Sequence, residues 1–286
     1  MKITGKTRLS GLFAHPAKQS LSPIVHNAAF EHLGISAVYL AFDFEEEEVG
    51  KSVEMIRTWD MLGVNVSMPY KASVIPYLDE LSEEAELMGA VNTIVNKNGR
   101  LIGKNTDGLG FLRAAEEMGV KLKDECLTVL GAGGAAQAII TQAALFGVKE
   151  LFIVARSGKS YSEMERKIEK LSERTATKLR ISTFSDENYL KNALDKSVLL
   201  VNATSVGMNE DISPIDLHHF SPKNIAVMDI IYKPLETTLL KAARELNLNA
   251  VNGLPMLLYQ AERAFYEWTG QELPIELVKE KIEQEI

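Results

Sequence analysis

Cysteine is almost absent: Cys126 is the single one in 286 residues. No disulfide can close within the chain, and a cysteine-rich metal centre is excluded. Cys126 precedes an apolar run, which predicts a small buried strand residue. A surplus of basic residues is missing too. Lys and Arg total 31 against 39 Asp and Glu, for a formal net charge of −8. A general nucleic-acid or anionic-membrane surface needs a basic face and is therefore not expected. The first residues, Met1-Lys2-Ile3-Thr4-Gly5-Lys6-Thr7-Arg8, lack the apolar core of a secretory signal, and a cytoplasmic protein is expected. Long apolar runs are scarce as well. Residues 126–148 carry no charge, but Gly131, Gly133 and Gly134 interrupt them and Gln137, Thr141 and Gln142 are polar. A strand, a glycine turn and a buried helix account for these letters better than a membrane span. The histidines His15, His26, His218 and His219 show no metal-ligand spacing, so no metal is expected.

What is present is globular in kind, with 46% hydrophobic and 24% charged residues. Residues 8–13, 37–44 and 62–66 read as strands, with helical patterns over 23–33 and 45–59. Ser22 is placed to cap the first helix and Pro23 to open it. The early glutamates of the second suit the positive end of its dipole. This β-α-β-α-β rhythm predicts a parallel sheet with helices packed on it. Residues 89–104 read as a hairpin with Asn98-Gly99 at the turn. A second series begins at 127–130, with strands over 151–154, 198–201 and 225–228 and closing helices over 255–268 and 273–284. The expected fold is α/β in two lobes. An N-terminal α/β substrate lobe spans 1–106, with residues 253–286 packed back on it, and a Rossmann-like doubly wound dinucleotide-binding lobe spans 107–252. A cleft between such lobes is where a ligand is expected.

The strand at 127–130 runs into Gly131-Ala132-Gly133-Gly134-Ala135-Ala136 and then a helical pattern. That is the G-x-G-x-x-G/A fingerprint in its strand-turn-helix context. Gly131 permits the tight turn, Gly133 lets the backbone approach a pyrophosphate, and Ala136 lets the helix pack on the sheet. Gly131, Ala132, Gly133, Gly134 and Ala135 are thus the expected phosphate-binding turn. At the end of the next strand an acidic residue reads a ribose 2′-hydroxyl and a basic one a 2′-phosphate. Here the strand ends in Ala155-Arg156-Ser157, with Lys159 beyond, while Glu150 sits at the opposite end. Arg156 and Ser157 therefore point to NADP in preference to NAD.

Further segments carry the chemistry. They are Ser20-Leu21-Ser22-Pro23 with His26-Asn27; Asn65-Val66-Ser67-Met68-Pro69-Tyr70-Lys71; Gly89-Ala90-Val91-Asn92-Thr93; and Asn105-Thr106-Asp107-Gly108. Then come Asn202-Ala203-Thr204-Ser205-Val206-Gly207-Met208, and Asn252-Gly253-Leu254-Pro255-Met256 with Gln260. In order and spacing they resemble the shikimate dehydrogenase family, from about Gly11 to Gln260. The resemblance implies reversible NADPH-dependent reduction of 3-dehydroshikimate to shikimate, in the chorismate route to aromatic amino acids. It implies Lys71 and Asp107 as the catalytic pair, and Ser20 and Ser22 as the carboxylate-binding pair. It also implies Asn65, Ser67, Asn92 and Gln260 on ring hydroxyls, Tyr232 near the substrate, and Thr204, Gly253 and Met256 at the nicotinamide. Oxidising a secondary alcohol needs a hydride acceptor and a group to take the hydroxyl proton. A free lysine, with a pKa of about 10.4, acts as a base only when its surroundings lower it, and a neighbouring aspartate works the other way. The pair is expected to titrate as a unit.

Three departures from the family pattern stand out. Ser67 replaces the usual threonine, Ala155 an asparagine, and Ser160 stands where some members place a second arginine. The last two loosen the preference for NADP, leaving NAD use open. A quinate/shikimate dehydrogenase using either cofactor therefore remains an alternative, and a non-catalytic ligand sensor is disfavoured by the retention of Lys71 and Asp107. The expected partners are a small-molecule substrate and at most a second copy of the chain (monomer or homodimer), with no nucleic acid and no membrane.

Overall fold

The computed structural model describes residues 2–285. They group into two units, one running up to Thr106 and resuming at Leu258, the other spanning Asp107–Leu257.

The first unit opens with β1 (Arg8–Ala14), α1 (Ser22–His32), β2 (Ala37–Asp43), α2 (Val49–Thr58) and β3 (Gly63–Val66). It continues with β4 (Glu80–Leu81), α3 (Glu83–Met88), β5 (Thr93–Lys97) and β6 (Arg100–Lys104). The sheet order is β2-β1-β3-β5-β6-β4. Strand β1 pairs in parallel with β2 and β3, but β3 meets β5 antiparallel, and β5 and β6 form the expected hairpin. The sheet is therefore mixed, not wholly parallel. Asn98 and Gly99 both have positive φ, 55° and 87°, as a two-residue hairpin turn requires. Apolar residues on one face of the sheet, Phe13, Val64, Val66 and Ile94, bury against Val49, Val53 and Ile56 of α2.

Two helix expectations need correction. Ser22 is the first residue of α1, not its cap; Leu21 is the boundary residue, and the Ser22 N–H donates to Ser20 Oγ at 3.2 Å. The run after Glu45 is not one helix but a 3-10 turn over Glu46–Glu48 followed by α2, since three successive glutamates supply no apolar face to bury.

The second unit begins with α4 (Asp107–Glu117), β7 (Cys126–Leu130), α5 (Gly134–Phe146), β8 (Glu150–Ala155), α6 (Lys159–Arg174) and β9 (Lys178–Thr183). There follow α7 (Glu187–Lys196), β10 (Leu199–Asn202), α8 (Leu217–Phe220), β11 (Ala226–Asp229), α9 (Thr238–Glu245) and β12 (Ala250–Val251). Helix α10 (Leu254–Thr269) carries the chain past Leu257 back into the first unit, where α11 (Ile275–Glu283) packs on α1. The order β12-β11-β10-β7-β8-β9 is parallel throughout. Counted from β7, this is the 3-2-1-4-5-6 arrangement of a doubly wound sheet, whose strand order reverses between β7 and β10. The uncharged stretch of the sequence proves to be β7 and α5, with Ile139, Ile140, Ala143 and Ala144 buried on the helix. Cys126 opens β7 half-buried, not fully buried, because it sits at the strand's first position. Among the described residues no helix is long and apolar enough to cross a membrane.

Candidate functional site

In an open α/β sheet, ligands bind outside the carboxyl ends of the strands at the point where the order reverses. The second unit has a cavity of about 720 Å³ built from those loops. Gly131, Ala132 and Gly133 line it after β7, Ala203 and Thr204 after β10, and Ala155, Arg156 and Ser157 at the end of β8. Gly131 has φ +114°, and a Cβ there would lie 2.8 Å from the Ala203 carbonyl oxygen. A side chain would therefore push apart the two loops that form the reversal point. Gly133 is exposed with nothing near its missing Cβ, which leaves its backbone open to a bulky anion ahead of the α5 N-terminus. Arg156 and Lys159 are exposed on the lining, and no Asp or Glu is part of it among the described residues. Glu150 lies at the other end of β8 and pairs with Arg180 at 2.5 Å. A dinucleotide with an extra phosphate on its ribose fits these donors.

The wall carrying Thr204 is held from behind by a buried carboxylate. Asp229, at the end of β11, accepts from Thr237 Oγ1 at 2.7 Å, Asn202 Nδ2 at 3.1 Å and the Ile231 N–H at 3.1 Å. Asn202 Oδ1 in turn accepts from the Thr204 N–H at 3.0 Å and its hydroxyl at 2.7 Å. Burial raises the Asp229 pKa, and the three donors oppose that rise. Asp229→Asn swaps an acceptor for a donor facing donors. It should destabilise the protein by about 1–2 kcal/mol, read as a lower urea midpoint, and should weaken cofactor binding. An unchanged midpoint would mean this network does not hold the loop.

In the first unit the carboxyl ends of β1 and β3 gather the polar residues. Asn65 is buried in β3, and Ser67 follows with its N–H on the Phe13 carbonyl at 2.9 Å. Asn92 works as a clasp: its carbonyl takes the Val66 N–H at 2.8 Å, its Oδ1 takes the Thr106 N–H at 2.8 Å, and its Nδ2 donates to Thr106 Oγ1 at 3.0 Å. Asn65 Nδ2 donates to that same Asn92 carbonyl at 3.3 Å. Ser20 and Ser22, both half-buried, are joined through the Ser22 N–H.

The main chain at Lys71 is pinned on both sides. Tyr70 stacks on Phe44 with ring centroids 4.8 Å apart and its hydroxyl donates to the Phe44 carbonyl. The Lys71 carbonyl accepts from the Val91 N–H at 2.7 Å. Asp107 belongs to the second unit and opens α4, and the positive end of a helix favours a carboxylate there.

The segment leading to Ser20 has its own anchor. His15 Nδ1 lies 2.7 Å from Asp43 Oδ1, and Asp43 Oδ2 accepts the Ala17 N–H at 3.0 Å. The hydrogen bond to Asp43 raises the His15 pKa, while the Ala17 N–H and then His15 lower that of Asp43. A raised histidine stabilises fully below its unfolded value, about 6.5, and that contribution fades as pH rises through the folded value. At the acid end the contribution of Asp43 is lost as pH falls through its lowered value. An NMR titration should place His15 above about 6.5, and Asp43→Asn should bring it back. A His15 shift indifferent to that substitution would contradict the couple.

Gly131, Ala132, Gly133, Arg156, Ser157 and Thr204 thus meet around one cavity, whereas Gly134, Ala135, Tyr232, Gly253 and Met256 are not part of its lining. Gly134 and Ala135 begin α5. Gly253 bonds to the Ile231 carbonyl at 3.0 Å, beside half-buried Tyr232, and a Cβ on it would collide with Ile230. Met256 is buried, and Gln260 is half-buried on α10. The sequence reading missed Phe184, Ser213 and Pro214, which also line the cavity. Phe184 follows β9, whose alternation Lys178-Leu179-Arg180-Ile181 is a period-two signal that points to it.

Sheet order, glycine turn and basic ribose end together define a Rossmann-type dinucleotide-binding protein. Residues 12–94 match the family model "Shikimate dehydrogenase substrate binding domain" and residues 253–283 match "Shikimate 5'-dehydrogenase C-terminal domain". A shikimate dehydrogenase (NADP(+)) of Streptococcus sanguinis is 46% identical over 284 residues, covering 99% of each chain. The crystal structure of shikimate 5-dehydrogenase from Listeria monocytogenes, in complex with shikimate and NAD, superposes with a TM-score of 0.96 at 42% identity, covering 99% of this chain and 98% of that one. The Thermus thermophilus enzyme, in complex with NADP(H) and shikimate, gives 0.84 at 34% identity over 98% of this chain and 100% of that one. This chain belongs to the shikimate dehydrogenase family.

Proposed function

We propose that the chain catalyses the reversible NADPH-dependent reduction of 3-dehydroshikimate to shikimate, as a cytoplasmic enzyme of aromatic amino-acid biosynthesis. It acts as a monomer or homodimer, without nucleic acid or membrane. Residues 1–106 with the C-terminal helices bind substrate, and residues 107–252 bind the cofactor. One observation carries the reading. A single chain joins a dinucleotide cavity with a basic ribose end to a unit that links buried Asn65 to Asn92 and half-buried Ser22 to Ser20 by hydrogen bonds.

The bound nicotinamide supplies or accepts the hydride; the remaining work falls to side chains. Backbone N–H groups from Gly131 to Ala135 hold the pyrophosphate, Arg156 and Ser157 the 2′-phosphate, and Thr204, Gly253 and Met256 the nicotinamide end. Ser20 and Ser22 donate to the substrate carboxylate. Asn65, Ser67, Asn92 and Gln260 bond the ring hydroxyls, because amides and hydroxyls both donate and accept, and Tyr232 lies near the substrate. Lys71 and Asp107 move one proton per turnover, to the carbonyl oxygen in reduction and from the hydroxyl in oxidation. NADPH consumption with 3-dehydroshikimate, with the product identified by chromatography, tests the assignment. Stoichiometric shikimate is expected, and consumption without shikimate would sink it.

A further inference from the structure

Tyr39, in the middle of β2, has no part in the assignments above, yet it is fully buried with its hydroxyl against two of the assigned residues. Its ring stacks on His26, centroids 4.5 Å apart with planes at 22°, and lies 6.1 Å from Trp268. His26 is itself fully buried, 5.1 Å from Trp268 and 6.1 Å from Phe265. Neither ring nitrogen makes a geometrically sound hydrogen bond among the described residues, although the Asn65 side chain lies close to the imidazole. Burial drives the His26 pKa down to about 3, so the imidazole is a neutral plate at any working pH. A phenol packed in this way keeps little freedom beyond the torsion of its O–H.

That O–H donates to Asn65 Oδ1 at 2.8 Å, and the Ser22 side chain lies close to the phenol. The donors then run one way. Asn65 Nδ2 donates to Thr93 Oγ1 at 3.3 Å, and the Thr93 hydroxyl donates to Asn92 Oδ1 at 2.9 Å. Asn92 Oδ1 also accepts the Thr106 N–H. An asparagine carboxamide has two orientations that exchange its acceptor and its donors. Here the phenol's proton demands the oxygen on its own side, and the Thr93 and Asn92 oxygens demand the NH₂ on the other.

We infer that Tyr39 is a substrate-positioning residue, whose hydroxyl holds the Asn65 carboxamide in one flip state while lying beside Ser22. The inference rests on the proposed roles of Asn65 and Ser22. Tyr39→Phe removes only the hydroxyl and keeps the stack on His26.

The test is a double-mutant cycle of Tyr39→Phe with Asn65→Ala, reading KM for shikimate, KM for NADP and kcat. Tyr39→Phe should raise the shikimate KM about three- to tenfold, the scale of one neutral hydrogen bond. The NADP KM should stay within about twofold, which also shows that the variant is folded. In the Asn65→Ala background the same substitution should add less than about twofold, because nothing remains to be oriented. An unchanged shikimate KM for Tyr39→Phe, or an effect that multiplies undiminished onto Asn65→Ala, overturns the positioning role and leaves the Asn65 assignment standing. A normal shikimate KM for Asn65→Ala alone overturns the assignment, and the inference with it.

Discussion

Lys71→Ala is expected to lower kcat by about two to four orders of magnitude, the range for losing a positioned acid–base group, while the KM for NADP stays close to normal. The separation follows from how the residue is held. Its backbone is fixed by the Val91 N–H on the Lys71 carbonyl, by Tyr70 stacked on Phe44, and by Ser67 bonded to Phe13. Truncation to alanine keeps every one of those backbone contacts and removes the side chain beyond Cβ, the ammonium with it. Lys71→Arg should also be poor, because a guanidinium keeps the charge but does not give up its proton. Steady-state kinetics on folded variants decide the matter. A kcat within about threefold of the parent for Lys71→Ala would remove this residue from the proton transfer.

Arg156→Ala should weaken NADP binding by about 10- to 100-fold, on the scale of charge-assisted hydrogen bonds to a phosphate. NAD, which lacks that phosphate, should lose little. Arg156 is exposed at the end of β8 on the cavity lining, and Lys159 nearby is drawn toward Glu163 at 3.8 Å. Arg156 and Lys159 are the two cations on that lining among the described residues. Ala155 beside Arg156 offers no polar side chain. Fluorescence titration of each cofactor against both proteins is the check. Equal losses for NADP and NAD would mean that Arg156 does not read the phosphate.

The glycine turn was legible because its signal is local: a strand, Gly131-Ala132-Gly133 and a helix stand adjacent in the chain, and a positive φ at Gly131 leaves little choice of residue. The hairpin at Asn98-Gly99 was legible for the same reason. Its antiparallel junction with β3 was not, because which strand β5 joins depends on residues far away in sequence. Strand β4 has two residues and carries no period to detect. The cap of α1 was misread because Ser-Pro marks a helix start one residue out. What decides the boundary is the Ser20 hydroxyl, which reaches forward to the Ser22 N–H. Asn65 and Asn92 were singled out from motif resemblance, but Tyr39 and Thr93, the hydrogen-bond partners of Asn65, lie on other strands. Phe184, Ser213 and Pro214 were missed because loops after strands owe their place to the sheet order, which no local pattern encodes.

The central claim is most directly tested by the rate of nicotinamide reduction, followed at its absorbance band, with shikimate or quinate each paired with NADP or NAD. Turnover concentrated in the shikimate and NADP pairing is the predicted result. No reduction in any pairing, from folded protein that still binds cofactor, would contradict the assigned reaction.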